Sequence, residues 1–227
     1  MNLKTIMALI GVMLFGAGIV MAIAGAGVEQ EGTQTRWTQP ANTTNIVTEG
    51  GNITAANITG TTLTDRWAAF FGNVSGTVVL RDSADTVFSW SWTAANGGEV
   101  CLSTGSTFAF TQAVAAGSTD VDAVDTAFGL GVAADNASKT LTNTTCDLKF
   151  NNIADIDNTA GATTGGGFET CLVKNTAATL EGDFAFCTNI NSTGKNYKNA
   201  GANYQVMVPT SHGATDTETY YFYMELD

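Results

Sequence analysis

Between Thr64 and Trp92 the chain alternates apolar with small or polar side chains at a period of two, and the alternation breaks twice at turn-forming residues. Phe88, Trp90 and Trp92 fall on one side of the last run and Val87, Ser89 and Ser91 on the other. That pattern predicts a half-buried antiparallel strand whose rings pack in a core. Thr77-Val78-Val79-Leu80 lies before it across Asp82-Ser83-Ala84-Asp85, so β-branched residues flank turn chemistry and predict a hairpin. With the run after Trp67, the stretch predicts three successive strands.

The same reading extends to the C-terminus. Asn96-Gly97-Gly98 is a turn and EVCLST a strand; KTLTNTTCDLKF, GGGFETCLVKN, DFAFCTNI, YQVMVP and TYYFYMEL follow as strands, with Pro209 ending the penultimate one. In the last, Tyr220, Phe222, Met224 and Leu226 form the core face, and Tyr221 and Tyr223 point the other way as candidate exposed rings. One stretch has helical spacing: Val121, Val124 and Phe128 share a face, Ser118 or Thr119 is placed to cap, Asp120 and Asp122 complement the dipole, and Gly129 stands at the C′ position. The fold class is therefore mainly β, an antiparallel β-sandwich of jelly-roll or Ig-like type with one short helix.

An N-terminal hydrophobic helix is expected ahead of this domain. Residues 1–28 carry Lys4 and then an uncharged run ending in small residues, the pattern of a signal peptide or signal anchor. Ala22-Ile23-Ala24 and Ala24-Gly25-Ala26 are small-x-small cleavage sites. Left uncleaved, the run is long enough to span a bilayer and is the chain's one expected membrane contact. Residues 29–62 form a polar linker or N-terminal edge strands, with NIVTEGGNITAANITGTTL suggesting short strands about a Gly50-Gly51 turn. Its Ile46-Val47 and Ile53 to Ile58 portions are candidates for pairing with a neighbouring subunit. Residues 63–227 are the β-sandwich domain.

Charge and cysteine content narrow the setting. The 227-residue chain has a formal net charge of −12, which repels phosphates and excludes nucleic acid as a partner class. Cys101, Cys146, Cys171 and Cys187 make an even set with no CxxC spacing, which in an exported protein implies two disulfides. Three connectivities exist, and a hairpin joining the Cys171 and Cys187 runs favours Cys171–Cys187 with Cys101–Cys146. Asn-x-Ser/Thr sequons occur at Asn42, Asn52, Asn57, Asn73, Asn136, Asn143 and Asn191, marking glycosylation sites if the host has the pathway.

The inventory for catalysis is thin. His212 is the one histidine, in a polar loop without a GxSxG elbow, and phosphate-binding glycine motifs are missing. No catalytic or metal-ligating residue is assigned and no cofactor is expected. Asp120, Asp122 and Asp125, and separately Asp155 with Asp157 and Asn158, offer oxygen ligands for Ca²⁺, but neither group has EF-hand spacing, and helix capping and a polar turn account for them. Trp67, Trp90, Trp92 and the tyrosines from Tyr220 to Tyr223 could stack on sugars, against a core role for rings at strand period.

At LTDRWAAFFGNVSGTVVLRD, FSWSW, STDVDAVDTAFG and NYQVMVPT with TYYFYMEL, the chain resembles a group of uncharacterised secreted archaeal surface glycoproteins over most of the region after Thr64. The resemblance implies an extracellular β-domain of an envelope or filament, with no catalytic residues to carry over. The expected function is a non-enzymatic structural or adhesive cell-surface protein whose partners are its own copies or other envelope proteins. The alternative is a carbohydrate-binding module or glycan-acting enzyme, with glycans as partners.

Overall fold

The computed structural model describes residues 24–25, 27–38, 45–150, 155–211 and 217–226. The expected N-terminal helix, Asn42 and His212 lie outside the described residues, except that Ala24–Gly25 forms a two-residue strand, β1. The molecule is mainly β with antiparallel strand pairing and short helices.

Three strands arise from the aromatic stretch: β2 (Trp67–Gly72), β3 (Gly76–Arg81) and β4 (Thr86–Trp92). Next come β5 (Glu99–Ser103), β6 (Ala113–Ala115), α1 (Ser118–Ala127) and α2 (Ala137–Thr140). The C-terminal half supplies β7 (Thr144–Leu148), β8 (Ile156–Thr163), β9 (Glu169–Asn175), β10 (Phe184–Asn189), β11 (Tyr204–Pro209) and β12 (Tyr221–Met224). The main sheet has the order β1-β12-β5-β10-β9-β8-β7, with β6 also pairing β9; β2 pairs β11, and β3 pairs β4.

The centre of the main sheet is buried on both faces, as the unbroken burial of β5 and most of β10 requires. Alternation along these strands divides the side chains. Val100, Leu102, Leu172, Phe184 and Phe186 face one core, closed by α1 and by the β2–β11 pair through Val206 and Val208. Cys101, Cys171, Val173, Ala185 and Cys187 face a second core, closed by Phe108, Phe110, Leu148, Phe150 and Tyr223. Tyr223 is thus buried, not exposed as the strand period alone suggested: both faces of β12 meet apolar layers, and its hydroxyl donates to Gly105 O at 2.6 Å.

Helix α1 forms where expected. Val121 and Val124 are fully buried, Phe128 packs edge-on to Phe186, and Gly129 follows at φ +61°. Its N-cap is Gly117 rather than Ser118 or Thr119: Asp120 Oδ2 accepts from the Gly117 amide at 2.8 Å while Oδ1 meets Lys174 Nζ at 2.6 Å. Burial pushes the Asp120 carboxyl up, but Lys174 and the Gly117 amide outweigh it and hold the group below the ordinary carboxylate range. Two polar stretches read differently in the structure. Lys139-Thr140 belongs to α2 instead of a strand, because Asn136 caps a helical turn there. Ile156-Asp157-Asn158 opens β8, since Ile156 has a core to enter.

The cysteine pairing also differs from the expected one. β9 and β10 are antiparallel neighbours with Cys171 opposite Cys187, as the hairpin reading required, yet the bonds join Cys101 to Cys187 and Cys146 to Cys171. Strand hydrogen bonding explains this. The Ile190 amide bonds Gly98 O, so by alternation Cys101 and Cys187 occupy a non-hydrogen-bonded pair, where Cα atoms approach most closely, here 4.0 Å. Across its other edge Cys187 faces Cys171 in the wider, hydrogen-bonded kind of pair. Cys171 instead reaches Cys146 across β8, at Gly161.

Candidate assembly surface and ligand cleft

The hairpin β3–β4 has one apolar face made by the cross-strand pairs Val78 with Trp90 and Leu80 with Phe88. Thr77, Ser91, Val79 and Ser89 make the other. The turn closing it is the expected one: Asp82 Oδ1 accepts from the Ala84 and Asp85 amides, which hold that exposed carboxyl below its ordinary range. Only Trp92, at the hairpin's base, enters the core at 6% exposure; Trp90 is 49% and Phe88 55% exposed, although their rings lie 4.8 Å apart. The predicted core strand is therefore a projecting ribbon. Period-two patterning assigns rings to a common face but carries no information on whether another layer covers it.

This ribbon stands next to the C-terminal strand. Leu226 packs its Cδ1 against Gly76, into the space a Cβ at the start of β3 would take. On the core side of β12, Phe222 meets Phe70 edge-on at 5.2 Å, and Tyr220 donates to Pro209 O at 2.5 Å. Burial, then the Glu218 and Glu181 carboxylates, push the Tyr220 phenol well above its ordinary range.

Among the described residues, the outer edge of β12 pairs with β1, Ala24 opposite Met224 and Gly25 opposite Tyr223. Residues 45–63 form no strand, against the expectation of edge strands there; a turn does occur at Gly50-Gly51, but Val47, Ile53 and Ile58 are almost fully exposed. The segment is anchored where it meets the domain: Thr64 Oγ1 donates to Asp135 Oδ2 at 2.5 Å, Trp67 Nε1 donates to Asp135 O at 2.6 Å, and Arg66 pairs with Asp135 and Leu130 O.

The sequons separate by environment. Asn52, Asn57, Asn73, Asn143 and Asn191 are exposed. Asn191 Oδ1 accepts from both the amide and the hydroxyl of Thr193 at 3.0 Å, and Asn203 ties its neighbourhood to Gly72 and Val74, bringing Asn73 and Asn191 to one end of the fold. Asn136 is different. It is 7% exposed, its Oδ1 accepts from the Lys139 amide and its Nδ2 donates to Gly131 O at 3.1 Å, so the nitrogen a glycan would need is already bonded.

The aspartates weighed for Ca²⁺ have structural partners. Asp125 accepts from the amides of Ala137 and Ser138 at 2.6 and 3.0 Å, Asp122 accepts from Ser138 Oγ at 2.7 Å, and Asp120 holds Lys174. Among the described residues no group of three or more His, Cys, Asp or Glu side chains is placed to hold a metal ion. An open cleft of about 510 Å³ lies beside β12, lined by Tyr221, Leu180, Glu181, Glu218 and Thr219 among others. Tyr221, one of the candidate sugar-stacking rings, is 43% exposed there. Neither the cleft nor the β12 edge had a sequence signature, because both are made by strand order.

No helix among the described residues is long and apolar enough to cross a membrane. Compared with known proteins, the chain matches no family model, no curated protein and no solved structure.

Proposed function

We propose that this chain is an exported, glycosylated, non-enzymatic structural or adhesive component of a cell surface, built as a β-sandwich in which the main sheet faces a layer made of β2, β11 and α1. The observation carrying this reading is that all four cysteines are bonded, with both disulfides inside the second core. Bonds of that kind persist in oxidising compartments and are rare in reducing ones. Support also comes from the export pattern of residues 1–28, from sequons on exposed positions, and from the uncovered apolar ribbon β3–β4, since large exposed apolar patches commonly mark contact surfaces. Immunogold labelling of intact producing cells tests it: label on the outer surface or on extracellular material is expected, and label confined to the cytoplasm overturns the proposal.

The cleft at Tyr221 supports a second reading, a carbohydrate-binding module. An exposed phenol ring flanked by hydroxyl and carboxyl groups can stack on a sugar and hydrogen bond its rim. A glycan array comparing the wild type with Tyr221→Ala discriminates: sugar binding lost in the variant supports the second reading, and no binding by either protein removes it.

A further inference from the structure

We infer that the outer edge of β12 is an acceptor for an extended strand from a second copy of this chain, donated by residues 45–48. The inference rests on the surface-assembly reading and specifies its contact.

The acceptor is defined by hydrogen bonding. Glu225 N donates to Glu99 O at 3.0 Å, which sets the alternation between β12 and β5 and turns the amides and carbonyls of Phe222 and Met224 outward. Among the described residues, β1 lies along this edge in antiparallel register, with Ala24 opposite Met224 and Gly25 opposite Tyr223. The edge thus takes an added strand. β1 also lies within the small-residue run where the sequence places export cleavage; processing after Ala26 removes it and bares the outward groups, the condition under which a sheet edge recruits another chain.

The donor follows from exposure, charge and glycosylation chemistry. Residues 45–63 carry a single charged side chain, Glu49, and β12 carries none, so this contact avoids the repulsion expected between two chains of net charge −12. Ile46 and Val47 are exposed and in no strand of their own domain. The other apolar portion, from Ile53 to Ile58, has the sequon Asn57 inside it, and a glycan there would stand in the sheet. Residues 45–48 contain no sequon, and their number equals the four residues of β12. The tether from residue 48 to the anchor at Thr64 spans roughly 50 Å when extended, enough to leave the parent domain. A donor on one copy and an acceptor on the next make a head-to-tail contact that leaves a free donor and a free edge at the ends, so it propagates.

The test uses the full chain, expressed with its own leader and exported, in two co-expressed forms bearing different tags. One form carries a photo-crosslinking phenylalanine at Met224. A product joining the two tags, with the crosslink mapped to residues 45–48, is expected. Ile46→Pro with Val47→Pro, at exposed positions, should lower that product about tenfold, the ratio that ~1.4 kcal/mol of lost pairing gives, while both disulfides still form. Crosslinks that map elsewhere, that stay within one chain, or that survive the proline substitutions overturn the inference. In each case surface immunogold labelling still judges the functional reading separately, because location does not depend on which edge is used.

Discussion

Gly161 lies directly beneath the bond made by Cys146: a Cβ at position 161 would stand 2.9 Å from Cys146 Sγ and 2.7 Å from Thr170 O. β8 separates β7 from β9, and the absence of a side chain on it lets a disulfide cross from one to the other with a Cα separation of 5.9 Å. Gly161→Ala is therefore expected to destabilise the domain by about 1–3 kcal/mol, an overpacking cost. Urea denaturation measures this, and an unchanged midpoint would show that β8 gives way freely.

The two disulfides should differ in weight. Cys101–Cys187 closes a separation of 86 residues and Cys146–Cys171 one of 25. Chain-entropy scaling assigns roughly 4.6 and 3.5 kcal/mol to them. Replacing each pair with serine and comparing denaturation midpoints should show the larger loss for Cys101 with Cys187, and non-reducing peptide mapping should recover these two pairs alone.

Glycosylation should spare one sequon. With its amide nitrogen bonded to Gly131 O and its oxygen capping α2, Asn136 is expected to be unmodified in exported protein carrying glycans on exposed sites such as Asn73 and Asn191. Glycopeptide mass spectrometry reads this directly. Asn136→Ala should cost about 1 kcal/mol as a lost cap, whereas Asn73→Ala, at an exposed position, should be nearly neutral.

Acid sensitivity should depend in part on Asp120. Its folded-state pKa lies below the unfolded value of about 3.9, so the folded protein binds fewer protons there. The contribution is complete above that unfolded value and disappears as pH falls through the lower folded one. Stability measured by denaturant titration from pH 7 downwards should drop less steeply below about pH 4 in Asp120→Asn than in the wild type. Parallel curves would remove the role.

Much of the strand layout could be read in advance. The Phe88-Trp90-Trp92 alternation, the Asp82 turn, the stop at Pro209 and the Val121-Val124-Phe128 face of α1 are local signals, and each element formed where those residues placed it. Assignments that depended on neighbours distant in sequence did not follow. Cys187 lies between two strands that each offer a cysteine, so its partner is decided by which pair is hydrogen-bonded. Tyr223 belongs to a strand with apolar layers on both sides, and Phe88 and Trp90 to a ribbon without a covering layer; all three have the same period-two signature. The β12 edge and the Tyr221 cleft exist only after the β5–β12 pairing has been made, a contact between residues more than a hundred positions apart.

The Cys101–Cys187 bond has a mechanical meaning as well. Tension applied along β12 loads its hydrogen bonds to β5 together, in shear, so they must break at once and not in sequence. β5 in turn cannot slide on β10, because a covalent link bolts the two strands near their middle. A pull entering at the edge of the sheet therefore spreads into the strands that carry Phe184 and Phe186, the deepest rings of the core, and the domain bears load as a plate instead of unravelling from its last strand.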